Sequence, residues 1–286
     1  MKIFSFALMI VAGVLAVYGL TQERKGAEWG RPLATVAAAV ALVLALFNLI
    51  AGTGGPDVEE IRKTQQAFQK IAGEKMGRFL AANHKGEKIL VLGGVDYSEI
   101  MPEETLEKGG YDTTWKTYME GLKKGMDDDV VLADVVRLAV PEEVKKAVAA
   151  MNDARTGDAP PDYFMMEEGM SLDAEDYNAA LAPYLDDVDV IVSLTGLPYD
   201  VENMSIWAHE DPPKLALVGG GSLHKLKDAI AQSYIVSVIT YRPQYDFEDR
   251  SIPKDLDEAF AKRFIMITPD NLAEMAQEHS RLFPGE

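Results

Sequence analysis

Hydrophobic positions fall into two regimes along this chain. In the first fifty-one residues they form two uncharged runs, 4–20 and 33–51. Beyond them they come as short bursts separated by amphipathic stretches. A bilayer core of about 30 Å takes roughly 20 apolar residues in a helix. The second run meets that length, and the first meets it with modest tilt or local thinning. The pattern predicts an N-terminal transmembrane helical hairpin. A cleaved signal peptide is the alternative for the first run, since Lys2 precedes it; no small-x-small cleavage site follows Leu20.

After the Gly/Pro joint at 52–56 the rhythm changes. Residues 57–83 carry an apolar stripe at helical spacing through Ile61, Phe68, Ile71, Met76, Phe79 and Leu80, behind Pro56 and an acidic first turn. Gly73 and Gly77 either weaken this helix or let another element approach closely. Short apolar runs suited to buried strands follow at 88–94, 130–140, 188–194, 215–218, 234–240 and 264–268. Helical patterns lie between them at 113–124, 141–151, 173–185, 201–208, 222–232 and 256–262, and 271–283 closes the series. Six strands alternating with helices predict an α/β domain over 56–286: a Rossmann-like, open, mostly parallel sheet with helices on both faces.

The basic residues bear on orientation. Arg24, Lys25 and Arg31 lie in the connection between the two runs, against Lys2 before them. Lys and Arg in short loops mark the cytoplasmic side, which puts the domain outside the cytoplasm. Arg62, Lys63 and Lys70 count the other way. Small residues (Gly13 and Ala16, then Ala34, Ala37, Ala38, Ala41 and Ala45) suit close packing of the two helices, or association with further copies.

Charge narrows the partners. The chain holds 28 basic and 46 acidic side chains; residues 1–56 take four and two, so the remainder keeps 24 and 44, a net of −20. Such a surface repels nucleic acid at long range. The absence of cysteine removes disulfides, thiolate catalysis and Cys-based zinc sites.

Ligands of open α/β sheets sit outside the C-terminal strand ends. Those ends bring forward Gly94, Asp96 and Ser98 after the first strand, Thr195 after the third, Gly220 and Ser222 after the fourth, and Tyr241 and Arg242 after the fifth. The glycines suit an anion cradle or simply a tight turn with Ser222 as cap. Arg242 beside Tyr241 and Tyr245 suits a carboxylate or sugar, or else an internal salt bridge. Ser222 and His224 are two apart and do not face each other on a helix, and there is no G-x-S-x-G elbow. His209-Glu210-Asp211 lacks the spacing of a zinc motif, and the runs 127–129 and 186–189 read as turns before strands. No catalytic residue, metal or cofactor is expected.

The stretches LDDVDVIVSLTGLP (185–198) and PKLALVGGGSLHKLKDAIAQSYIVSVITYRPQYD (213–246), with KILVLGG (88–94) and TYMEGLKKG (117–125), resemble one lobe of a type I periplasmic-binding-protein domain of the sugar-binding and LacI-type group. The resemblance covers roughly 85–268. It implies a sugar-like ligand at the strand ends. Where the family's turn after the fourth strand often carries a sugar-binding Asp, this chain has Gly219-Gly220-Gly221, and residues for a second lobe are lacking. Ligand burial then needs a partner or a second copy. The leading expectation is a membrane-anchored, non-enzymatic structural or interaction subunit of an extracytoplasmic assembly. Its partners are the lipid bilayer and further copies or other membrane subunits. The alternatives are a binding protein or sensor for a small polar ligand, and a Rossmann-like enzyme, which lacks a coherent nucleophile, base or cofactor motif.

Overall fold

The computed structural model describes residues 58–100, 113–142, 144–146, 148–149, 172–219, 223–246 and 248–283. Both apolar runs, 4–20 and 33–51, lie outside them. Among the described residues no helix is long and apolar enough to cross a membrane.

All six strands form as the hydropathy predicts: β1 (Lys88–Val95), β2 (Val131–Leu138), β3 (Val190–Ser193), β4 (Lys214–Val218), β5 (Ile235–Tyr241) and β6 (Phe264–Ile267). They make one sheet in the order β2-β1-β3-β4-β5-β6. Four of the five pairings are parallel, and β5 with β6 is antiparallel, Tyr241 facing Phe264. One antiparallel pair among five keeps the sheet mostly parallel, as expected. β6 starts directly after a helix that ends beside the C-terminal end of β5, so the chain enters β6 from that edge.

Among the described residues, the helices that pack on the sheet include α1 (Val58–Asn83), α2 (Thr113–Met126), α3 (Ala174–Leu181), α4 (Leu223–Ala231), α5 (Leu256–Arg263) and α6 (Leu272–Glu278). Asp173 starts α3 with a reciprocal capping box to Asp176. α3 stops at Leu181, short of the expected 185, because Pro183 cannot continue it. Asp255 caps α5 by accepting from the Glu258 amide at 2.9 Å. The helix expected over 201–208 is instead two 3-10 turns, Val201–Asn203 and Ser205–Ala208.

Alternation along each strand feeds two cores. Leu90, Leu92, Ile191, Leu215, Leu217 and Val238 face α3, α4 and α6. Ile89, Val91, Val190, Val192, Ala216 and Ile239 face α1, α2 and α5. Each fully buried aliphatic side chain stabilises the fold by about 1.5–3 kcal/mol relative to exposure.

On the second face, α1 and α2 cross with their backbones in contact. An added Cβ would lie 2.1 Å from the Tyr118 carbonyl oxygen at Gly73 and 2.3 Å from the Leu122 oxygen at Gly77. From the other side it would lie 2.0 Å from the Lys70 oxygen at Gly121 and 2.2 Å from the Glu74 oxygen at Gly125. Two G-x-x-x-G spacings thus interlock, so Gly73 and Gly77 serve close approach. Ion pairs flank the crossing: Lys70 with Glu120 at 3.0 Å and Lys124 with the buried Glu74 at 2.7 Å.

Candidate ligand-binding edge

The order β2-β1-β3-β4-β5 reverses direction of winding between β1 and β3, and such a switch point opens a crevice at the C-terminal strand ends. The expected residues within the description, Gly94, Asp96, Ser98, Thr195, Tyr241 and Arg242, all follow or end strands on this edge. Gly220 and Ser222 lie outside the described residues.

At the end of β1 the backbone is covered by an aromatic ring. Trp115, in the first turn of α2, lies over the two glycines; a Cβ on Gly93 would sit 3.2 Å from the indole and one on Gly94 3.5 Å from it. Arg137, from β2, has its guanidinium carbon 5.2 Å from the same ring. It pairs with Asp96 at 2.9 Å and donates to the Val95 carbonyl at 2.7 Å. The same Asp96 oxygen accepts from the Ser98 amide at 3.1 Å and from its hydroxyl at 2.6 Å. The structure therefore brings Gly94, Asp96 and Ser98 together, organised by Trp115 and Arg137, which the hydropathy pattern does not single out.

At the end of β3 the buried Ser193 hydroxyl donates to the Gly196 carbonyl at 2.5 Å. The Thr195 side chain hydrogen-bonds the phenol of Tyr177, which burial holds well above the usual tyrosine range. Gly196 (φ 79°) and Gly219 (φ 84°) both adopt the left-handed conformation that glycine favours. A Cβ on Gly196 would come within 3.0 Å of the Gly219 carbonyl oxygen, so the loops after β3 and β4 touch.

At the end of β5, Tyr241 stacks on Tyr245 with ring centroids 5.2 Å apart and an interplanar angle of 14°. Its hydroxyl accepts from the Gln65 side-chain amide at 2.9 Å and hydrogen-bonds Tyr118, whose own phenol is raised first by burial and then by Tyr241. Burial raises the Tyr245 phenol to about 12. Among the described residues Arg242 has no salt-bridge partner; its Nε donates to the Ala261 carbonyl at 2.8 Å, in the last turn of α5. Three strand steps of about 4.8 Å separate β1 from β5, so Asp96 and Tyr241 stand roughly 14 Å apart across the sheet. They form two ends of one edge.

Among the described residues no group of three His, Cys, Asp or Glu side chains is placed to hold a metal ion. Asp129 pairs with Lys85 and Asp186 with His209, as turn residues before strands do. His224 is exposed on α4.

No family model and no curated protein matches the chain. Among solved structures it is similar to a sugar ABC transport substrate-binding protein from Bordetella parapertussis, 12% identical, with a TM-score of 0.39 over 71% of this chain and 57% of that one. It is also similar to a carbohydrate transporter from Acidothermus cellulolyticus in complex with myo-inositol, 11% identical, with a TM-score of 0.40 over 75% and 62%. A Mycobacterium smegmatis protein is 10% identical, with a TM-score of 0.42 over 75% and 62%. The chain spans about three fifths of the length of these structures. At such overlaps the likeness identifies neither family nor ligand, and the fold assignment rests on the strand order itself.

Proposed function

We propose that the domain is a single-lobe, non-enzymatic binding module for a small polar, sugar-like ligand, seated on the C-terminal edge of the sheet. The observation that carries this is the switch point between β1 and β3, flanked by Asp96 and Ser98 on one side and Thr195 on the other. One lobe supplies one wall, so a second copy or a partner closes the site. The runs 4–20 and 33–51 tether the module to the inner membrane, with the domain on the extracytoplasmic side.

Calorimetric titration of the detergent-solubilised full chain with neutral monosaccharides tests the reading. Binding that falls about tenfold in Asp96→Asn or Thr195→Val supports it, one lost hydrogen bond to a charged group or its equivalent. Absence of heat with every sugar at millimolar concentration overturns it.

A second reading, a structural subunit of a membrane assembly, draws on the way polar groups at this edge bond one another: Asp96 with Arg137 and Ser98, Arg242 with Ala261. Cross-linking and sedimentation after extraction decide it. A homogeneous large particle supports assembly, and a sugar-binding monomer removes it.

A further inference from the structure

Among the described residues, Arg263 is a buried cation with no carboxylate at ion-pair distance. It closes α5 and leads into β6, and only 4% of its surface is exposed. Its guanidinium carbon sits 3.8 Å from the centre of the Phe68 ring and 5.8 Å from that of Tyr245. One nitrogen, Nη1, donates to the Gln65 side-chain oxygen at 3.0 Å. Its Nε is buried and has no partner among the described residues. Arginine carries five N–H donors in a flat fork that matches an oxyanion two at a time. Aromatic faces and one neutral amide hold the cation but do not neutralise it. The nearby Asp249 is committed elsewhere, to Lys262 at 2.6 Å and to the Ser251 hydroxyl at 2.7 Å. No carboxylate among the described residues lies within ion-pair distance of Arg263.

Placement gives this cation its meaning. β6 begins at Phe264, opposite Tyr241 at the C-terminal end of β5. Arg263 therefore stands on the edge where ligands of such sheets sit. A hydrogen-bonded line runs from it through Gln65 to Tyr241. The Tyr241–Tyr245 stack and Phe68 supply flat apolar walls beside it. A buried charge with an open donor is costly to keep unless something compensates it. A domain of net charge near −20 opposes an incoming anion at long range, so a subsite for one has to supply its own local positive charge.

We propose that Arg263 is the anchor of an oxyanion subsite, and that the small ligand of this edge carries a carboxylate, as a sugar acid does. This rests on the binding reading above and names the ligand's class. Gln65 is a positioning residue: it holds one side of the guanidinium and leaves Nε for the anion. Phe68 and Tyr245 keep water from competing for the charge.

The experiment compares D-glucuronate with D-glucose, which differ by the carboxylate, on the full chain in detergent. Calorimetry reads affinity, and the side-chain Nε–H resonance of Arg263 reads contact. The expected result is glucuronate binding at least about tenfold tighter than glucose, with a downfield shift of that resonance by glucuronate, and by acetate at higher concentration, but not by glucose. Arg263→Gln removes the preference. If that variant fails to fold, Gln65→Leu, which frees the guanidinium to rotate, is expected to weaken glucuronate binding and leave glucose unaffected. Equal affinity for the two sugars with a stationary Nε–H resonance overturns the subsite while leaving neutral-ligand binding intact. A resonance that moves with neither glucuronate, acetate nor inorganic phosphate also overturns it, and the neutral-sugar titration then judges the broader reading separately.

Discussion

Gly73 of α1 lies against the backbone of Tyr118 in α2, so closely that a methyl group there would stand 2.1 Å from the Tyr118 carbonyl oxygen. That obstacle is backbone in a packed helix and cannot rotate aside. Gly121 is in the same position from the other side, 2.0 Å from the Lys70 oxygen, whereas Gly86 (φ 78°) has nothing within 4 Å of its missing Cβ.

Gly121→Ala is therefore expected to force the helices apart and cost about 3 kcal/mol or more, at the top of the overpacking range. Gly86→Ala pays only for a left-handed backbone, about 1–2 kcal/mol. Urea unfolding of the two variants checks the order. Equal losses would contradict the crossing.

Several carboxylates are held below their ordinary range, and this sets the acid limb of stability. Hydrogen bonds from Lys262 and Ser251 depress Asp249 to about 2. Burial raises Glu74, but its hydrogen bonds and ion pairs with Lys124 and Arg78 outweigh that and leave it lowered. A depressed carboxylate contributes stability that is fully present above its unfolded value, about 3.9 for Asp and 4.3 for Glu, and is lost as pH falls through its folded value. Stability should fall from roughly pH 4 downward, with the Asp249 share vanishing near 2. Carboxyl-carbon NMR titration checks this, and Lys262→Met is expected to return Asp249 toward the ordinary range.

Arg242 donates to the Ala261 carbonyl at the end of α5. Arg242→Ala should destabilise the domain by about 0.5–1.5 kcal/mol, the net contribution of one hydrogen bond. Hydrogen exchange should quicken in the last turn of α5. Unchanged exchange there would mean the contact carries no weight in solution.

Tyr177 is 1% exposed, and its phenol meets the Thr195 side chain. Tyr177→Phe keeps the packing and removes that bond, so a loss near 1 kcal/mol is expected in thermal or urea unfolding. Any accompanying loss of sugar binding would link the core beneath α3 to the ligand edge through Thr195.

The central strands were legible because burial on both faces writes short apolar runs such as ILVL at 89–92 and VIV at 190–192. Direction is not written that way: β6 alternates its buried residues identically whether parallel or antiparallel, and only the absence of any linker between Arg263 and Phe264 separates the two. Gly73 and Gly77 were legible as a weak point or a close approach, but the matching pair Gly121 and Gly125 on α2 was not. The edge residues Asp96, Thr195 and Tyr241 followed from strand ends alone. Arg137 and Arg263 did not, because an arginine in a strand or short helix reads as solvated. Burial of Arg263 depends on Phe68 and Gln65, almost two hundred positions away.

That distance has a consequence during synthesis. Gln65 and Arg263 are 198 residues apart. A ribosome adding roughly 5–20 residues per second leaves an interval on the order of 10–40 s between them. Through that time α1 can dock on α2, yet Phe68 waits without its cationic cover. This face is completed only when β6 arrives, so Phe68 lacks its cationic cover until nearly the end of translation.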